Sequence, residues 1–120
     1  MFIITNLGTL HVMIVLVFKF LTPKGFRGIT IFPFILLTHK NDREDAVVIN
    51  HEKIHIRQQL ELLVVPFFLW YGIEFLFRWV QLKNRFAAYR NISFEREAYA
   101  NEKDPGYLKQ RSFWNFLKYV

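Results

Sequence analysis

The sequence predicts an α+β fold that is mostly helical and has a small sheet with an exposed edge strand. Three observations lead to this prediction. The segment from Gly28 to Leu37 is rich in β-branched and aromatic residues, which is typical of a strand. Two amphipathic stretches follow it, residues 45–64 and 67–83, and repeat with the period of a helix. The 120 residues are enough for one modest core, so we expect a single domain spanning residues 1–120.

Composition limits the partners and the chemistry. Hydrophobic residues make up 52% of the chain and aromatic residues 18%, which is above the usual apolar share of a soluble domain and predicts contact with a membrane or a partner surface. The net charge of +6 suits anionic lipid headgroups. No basic stripe or nucleic-acid-binding motif accompanies it, so we expect no nucleic-acid partner. The absence of cysteine excludes thiolate metal sites, so any metal must be held by histidine and carboxylate.

The N-terminal segment, residues 1–22, contains an apolar run from Leu10 to Leu21 that is interrupted by one histidine and one lysine. The run is about half as long as a membrane-spanning helix, and extending it back to Phe2 brings it to the length of a weak span. We therefore expect this segment to be membrane-associated. Pro23–Gly25 then predicts a turn.

The strand at Gly28–Leu37 and the first helix are joined by a polar loop. Pro33 lacks an N–H for the ladder and so places the strand at the edge of the sheet. Because acidic residues favour the first turn of a helix, we expect the helix to begin between Asp42 and Asp45. It should end near Val64, because Pro66 disfavours continuation.

A second helix is predicted from Phe67 to Lys83. Together with the preceding residues it is long enough to cross a bilayer, so residues 62–82 are a candidate membrane-embedded helix. In a membrane its polar stripe would face protein or water, and this stripe comprises Tyr71, Glu74, Arg78 and Gln81. The alternative is a core helix of a soluble protein with the stripe exposed. The sequence therefore predicts a membrane-associated protein of undetermined orientation, and a cytoplasmic protein is the alternative.

In the last third of the chain we expect a basic segment that ends in a loop, then one helix, then a terminal segment. Residues 83–90 are basic and aromatic and are expected to end in a short loop. Ser93 is expected to cap a helix that ends at Asn101. The tail from Tyr107 to Val120 mixes aromatic and basic residues. It is either an interfacial helix or a terminal helix that covers the core.

The stretch His51-Glu52-Lys53-Ile54-His55 carries the chemistry. Residues four apart lie on one face of a helix, so His51 and His55 can ligate one tetrahedral Zn²⁺ ion, with Glu52 placed as general base toward a water on the metal. All three residues lie in the apolar arc of the helix, where a metal would satisfy them. The alternative is a pair of half-buried histidines bonded to backbone carbonyls or carboxylates.

A catalytic zinc needs a third protein ligand. The candidates are two upstream histidines and a group of downstream carboxylates: His11, His39, Glu95, Glu97 and Glu102. We favour Glu97, because Asn101 lies one turn later on the same face and can hydrogen-bond a ligand histidine, whereas Glu95 points nearly oppositely. The alternative is that Glu95 and Glu97 only favour the helix N-terminus.

The motif at 51–55, followed about forty residues later by Glu95-Arg96-Glu97-Ala98-Tyr99-Ala100-Asn101, resembles the gluzincin metallopeptidases, in which the third ligand is a glutamate on a later helix. It is similar to the membrane metallopeptidase domains of beta-lactam sensor-transducers and to the CAAX-prenyl endopeptidase type, over about residues 28–104. The resemblance implies a minimal zincin-like domain, with Glu97 as ligand and Ile29–Leu37 as the substrate-binding strand. The aspartate of the family is Asn101 here, which carries no charge and supports a ligand histidine more weakly.

We therefore predict a zinc-dependent metallopeptidase that hydrolyses peptides or a membrane-proximal protein segment, with water activated by Glu52. One alternative is a membrane-associated zinc-binding adaptor without turnover, and another is a structural membrane protein in which the motif only packs. The residue that stabilises the transition state is left open among Tyr89, Arg90, Tyr99 and Tyr107.

Overall fold

The computed structural model describes residues 2–6, 11–17, 28–39, 42 and 44–120, and it confirms a mixed α+β chain. Four strands precede five helices: β1 (Phe2–Asn6), β2 (His11–Val17), β3 (Gly28–Ile31), β4 (Phe34–Leu37), α1 (Ala46–Leu62), α2 (Val64–Leu82), α3 (Arg85–Arg90), α4 (Ser93–Asn101) and α5 (Tyr107–Gln110). A 3-10 helix, Asn115–Tyr119, follows them. The predicted turn at Pro23–Gly25 and the side chain of His11 lie outside the described residues.

The sheet has the order β1-β2-β4-β3, so β3 is an edge strand. β1 pairs antiparallel with β2, β2 parallel with β4, and β4 antiparallel with β3. The parts of segment 1–22 that the structure describes are therefore strands, and the helical span expected there is wrong. Their content of isoleucine, valine and threonine favours a pleated strand that packs against neighbours.

The expected single strand from Gly28 to Leu37 is a hairpin. Its two strands are joined at Phe32 and Pro33, whose peptide bond is cis. Pro33 thus lies in the turn, where its missing N–H costs no ladder bond, and the edge position belongs to β3. Gln59 of α1 holds this hairpin, because its Oε1 accepts from the Phe32 N–H at 2.7 Å and its Nε2 donates to the Thr30 carbonyl at 2.7 Å.

Helix α1 begins and ends close to the predicted positions. The Asp45 carboxylate caps it by accepting from the N–H groups of Val47 and Val48, at 2.9 and 3.3 Å. At Leu63 the chain turns through a positive φ of 65°, and α2 continues at 110° to α1. Pro66 lies in the first turn of α2, where an N–H has no partner four residues earlier, so it does not interrupt the helix.

The C-terminal third differs from its predicted elements. Residues 85–90 form a helix capped by Asn84, and the predicted short loop follows it at Asn91 and Ile92. Ser93 begins α4 but does not cap it, because its N–H and hydroxyl both donate to the Glu74 carboxylate at 2.7 Å. The tail is two short helical segments in place of one helix. Phe116 is nonetheless 1% exposed, so the tail covers the core.

The core is divided between two sides of α1. On one side the sheet packs against α1 through Val15, Ile35, Leu37, Val48 and Ile56. On the other, α2, α4 and the tail enclose an aromatic cluster of Phe67, Ile92, Phe94 and Phe116. A helix with one apolar stripe is buried on one side only, whereas α1 is buried on two. The polar residues of α1 must therefore find hydrogen-bond partners within the protein.

A buried ion pair fixes the tail against α1 and α4. The Arg111 guanidinium lies 2.5 Å from one Glu97 oxygen and 3.1 Å from the other, and its third nitrogen lies 2.6 Å from Glu61 of α1. The Tyr107 hydroxyl also donates to Glu97. Burial alone would raise the pKa of Glu97, but the hydrogen bonds from Arg111 and Tyr107 lower it below its usual value. Glu97 is therefore held as a carboxylate by the tail.

Candidate metal centre

A row of polar side chains on α1 points into the protein. His51, Glu52, His55, Gln58 and Gln59 are all buried, each at most 7% exposed. Their spacing of three and four residues places them along one side of the helix, where α4 and the edge strand β3 pack.

Three of the ligand-type atoms around this row converge on one point. The Nε2 atoms of His51 and His55 lie 3.2 Å apart, and Oε1 of Glu95 on α4 lies 3.2 Å from the first and 3.0 Å from the second. All three residues are buried. Tetrahedral zinc with nitrogen and oxygen ligands separates its ligand atoms by about 3.3 Å. The spacing therefore fits a metal ion held by His51, His55 and Glu95.

The charge of this cluster also favours a cation. Burial alone would lower the pKa of His51, but hydrogen bonds to Glu102 and Glu95 and the charge of Glu52 raise it to about 10. The pKa of His55 is raised in the same way, mainly by the charge of Glu95. Burial would raise the pKa of Glu95, but the two histidines lower it well below its usual range. The protein thus surrounds the imidazoles with negative charge that protons or a metal ion must neutralise.

Gln58 determines which nitrogen of His55 carries a proton. The Nε2 amide of Gln58 faces two groups that only accept, the Phe94 carbonyl at 3.1 Å and the Glu97 carboxylate at 2.9 Å. Its Oε1 must therefore face Nδ1 of His55, at 2.8 Å, and that nitrogen must be the donor. The Nε2 lone pair of neutral His55 then faces the cluster and could bind a metal ion, the arrangement that metal-ligating histidines use.

The side chains of His51 and Glu95 also have partners that orient them. Nδ1 of His51 lies 3.7 Å from the Glu102 carboxylate, and the His51 ring packs edge-on against Tyr99. The Tyr71 hydroxyl donates to the second oxygen of Glu95 at 2.8 Å. Burial and the charge of Glu95 raise the pKa of Tyr71, so the phenol stays protonated and continues to donate.

Glu52 lies beside the cluster, between α1 and the edge strand. The Thr30 hydroxyl donates to its Oε2. Gly28 allows close approach, because a Cβ at this position would lie 3.2 Å from Oε1 of Glu52 and 3.1 Å from a backbone oxygen. Glu52, Thr30, His51, His55 and Glu95 line one cavity of about 810 Å³, so the carboxylate and the cluster face the same space.

The structure brings together His51, Glu52 and His55, as predicted, but it does not bring Glu97 or Asn101 to them. Glu97 is bonded to Arg111, and the Asn101 amide donates to the Glu97 carbonyl and the Tyr119 hydroxyl. Glu95 takes the place predicted for Glu97, and Glu102 lies where Asn101 was expected. The reason is the rotation of α4: residues 95 and 97 are about 200° apart on a helix, and the tail binds the face that carries Glu97.

Several residues of the site were not predicted from the sequence, although the helical spacing of some of them indicates that they share a face. Gln58 is three residues after His55, and Glu95, Tyr99 and Glu102 follow each other at four and three residues, which is one helix face. For Tyr71 and Thr30 no local signal exists. Among the residues left open for transition-state stabilisation, Tyr107 is bonded to Glu97, and Arg90 stacks on the Tyr99 ring. Tyr89 lines the cavity and shares a hydrogen bond with Tyr99, and His39 is exposed.

Comparison with known proteins shows no similarity: no family model matches the chain, and neither a curated protein nor a solved structure matches it significantly.

The first prediction separates Glu95 from Glu97. Glu95→Gln should weaken zinc binding by more than about 100-fold, because a direct ligand matters more than the outer partners that typically cost 10–100-fold. Glu97→Gln should weaken it by less than about tenfold in protein whose circular dichroism shows an intact fold, since Glu97 contacts neither histidine and acts through Gln58 and the orientation of α4. Competition with a chromogenic zinc chelator measures both. Equal losses, or a larger loss in Glu97→Gln, would contradict the assignment of Glu95.

The second prediction concerns Gln58. Gln58→Leu removes the acceptor for Nδ1 of His55 and should weaken zinc binding by about 10–100-fold. Gln59→Leu is the matched control, because it removes an equally buried amide that bonds to the hairpin and not to a histidine. It should change zinc affinity by less than about threefold. The same competition assay checks both, and similar losses in the two variants would show that Gln58 only contributes stability.

Proposed function

We propose that this chain is a zinc-dependent metallopeptidase of gluzincin type, built on a minimal zincin-like domain. The observation that carries the proposal is the convergence of His51, His55 and Glu95 beside the carboxylate of Glu52 at one end of an open cavity. A structural role for the histidines does not need three electron-donating atoms within 3.2 Å of each other and a further carboxylate beside them.

Two histidines and a glutamate are a ligand set of catalytic zinc sites, which leave one position open. Zinc in this site would lower the pKa of water toward about 7 and polarise the carbonyl of a substrate. Two histidines with one carboxylate also bind Fe²⁺ in other proteins, so metal analysis of the purified protein is the direct check on metal identity.

In this proposal Glu52 is the general base. Its Oε2 is held by the Thr30 hydroxyl, which leaves Oε1 to take a proton from water in the cavity and then to deliver it to the leaving amine. Tyr71 keeps the Glu95 carboxylate oriented, and Gln58 does the same for His55. These contacts hold the donor atoms in place before a substrate arrives, which favours catalysis.

The edge strand provides a place for the substrate. Gly28, Ile29 and Thr30 of β3 line the same cavity as the cluster. Edge strands recognise extended peptides by adding them to the sheet, with main-chain hydrogen bonds for affinity and pockets for alternate side chains. A peptide that lies along β3 would therefore have its backbone close to Glu52 and the histidines.

Glu52→Gln should lower peptide hydrolysis by about 10²–10⁴-fold, because the amide cannot accept the proton, while zinc content stays at the wild-type level. Hydrolysis of a mixed peptide library, followed by mass spectrometry, measures this effect beside metal analysis. Glu44→Gln is the matched control, since Glu44 is exposed and precedes the same helix. Wild-type protein without zinc, or full activity in Glu52→Gln, would refute the proposal.

We also propose that α2 rests on a membrane surface that contains anionic lipids. Its outward side is a stripe of exposed aliphatic and aromatic residues: Val65, Leu69, Ile73, Leu76, Phe77 and Val80. Lys83 and Arg85 are exposed where α2 meets α3, and the chain carries a net charge of +6. An apolar stripe with adjacent cations is the surface that lies in the interface of an anionic bilayer.

Within the described residues, no helix taken alone has the length and apolar character needed to cross a membrane, and only the bent pair α1 and α2 meets these criteria together.

Lys83→Ser should weaken binding to vesicles of phosphatidylserine and phosphatidylcholine by about fivefold, the effect of one basic residue near an anionic surface. Lys103→Ser, which removes the same charge from an exposed position after α4, should have little effect. Vesicle co-sedimentation measures both variants. Equal binding to purely zwitterionic vesicles, or no binding at all, would refute this location.

A further inference from the structure

The cavity that contains the His51–His55–Glu95 cluster extends beyond it along α2. Its volume of about 810 Å³ is that of a site for a drug-sized ligand, which is more than the chemistry at its polar end requires. Away from the cluster the walls come from α2 and α3 and are largely aromatic: Phe68, Tyr71, Gly72, Phe75, Phe86 and Tyr89. A polar substituent placed here would lose water without gaining many partners, so the space suits apolar groups.

Gly72 is one of the residues that line this wall, and the fold does not require glycine at this position. It lies within the regular helix α2 and needs no positive φ. A Cβ at this position would meet no heavy atom within 4 Å. Glycine inside a helix is less favourable than alanine. The consequence of glycine here is open space at the cavity wall, to which the large aromatic residues Tyr71 and Phe75 also contribute.

We propose that the apolar part of the cavity binds two or more successive large apolar side chains of a peptide, and that Gly72 is the specificity-determining residue that leaves room for them. The proposal names a substrate class for the proposed peptidase and rests on that function for the reaction. The binding preference itself depends only on the cavity. Arg85 and Asn84 lie at the end of the wall where α2 meets α3, so a peptide continuing past the apolar space would reach polar groups.

The test is calorimetric titration of zinc-loaded protein that carries Glu52→Gln, so that bound peptide is not consumed. Two peptides of eight residues are compared, one with Phe-Leu at its centre and one with Ala-Ala. With Gly72 present, the Phe-Leu peptide should bind at least about tenfold tighter, the usual discrimination of an apolar pocket. Gly72→Ala, the matched control, adds only a methyl group and should keep this preference. Gly72→Phe should lower the ratio below about threefold, because its side chain fills the space that the large apolar side chains would occupy.

Unfolding would not explain a reduced preference for the Phe-Leu peptide. Alanine and phenylalanine both have a higher helix propensity than glycine, and a Cβ at position 72 meets no neighbouring atom. The melting temperature of both variants should therefore stay equal or rise. Gly72→Leu provides a second filled variant with the same expected result. No preference with Gly72 present, or an unchanged preference in both filled variants, would overturn the proposal. If the preference is present but protein with Glu52 intact hydrolyses neither peptide, the proposed reaction fails and the cavity assignment stands.

Discussion

The buried ion pair between Glu97 and Arg111 is the constraint on which the rest of the site depends. The Arg111 side chain is fully buried and is also paired with Glu61, so it joins the tail to both α4 and α1. Removing one partner of such a pair typically costs about 3–5 kcal/mol, because a charge is left buried and uncompensated. With Glu97 held toward the tail, the helical period turns Glu95 toward α1. A contact on the opposite face of α4 thus decides that Glu95, and not Glu97, joins His51 and His55 as a candidate metal ligand.

Hydrogen bonds connect the Glu97–Arg111 ion pair to the candidate metal centre. Glu97 accepts a hydrogen bond from Gln58, and Gln58 in turn accepts one from His55. The tautomer of His55 is therefore set by a network that ends in the C-terminal tail. Glu97, Gln58 and Nδ1 of His55 each have a hydrogen-bond partner, which lowers the cost of burying these polar groups in a small protein. The functional and the structural roles of the buried polar residues are therefore joined in one network.

Helix α2 has two apolar sides with different environments. One side carries Phe67 into the core and Phe68, Tyr71 and Phe75 to the cavity, while the other leaves Leu69, Ile73 and Val80 exposed. A surface helix of a soluble domain normally has one apolar stripe. The second stripe is the physical basis for proposing a membrane surface, and the first is the basis for proposing an apolar substrate. Both proposals therefore concern the same helix.

The sequence by itself determined the elements whose causes are local. The helix with His51, Glu52 and His55 on one side was predictable because residues four apart share a face, and the start of α1 follows from the nearby Asp45, which caps it. The tertiary structure decided what depends on distant residues. It made strands of Phe2–Asn6 and His11–Val17, because pairing partners were available, and a hairpin of Gly28–Leu37, because Gln59 holds its turn. It selected Glu95 over Glu97, because Arg111 lies 14 residues beyond Glu97 and no helical period predicts that contact.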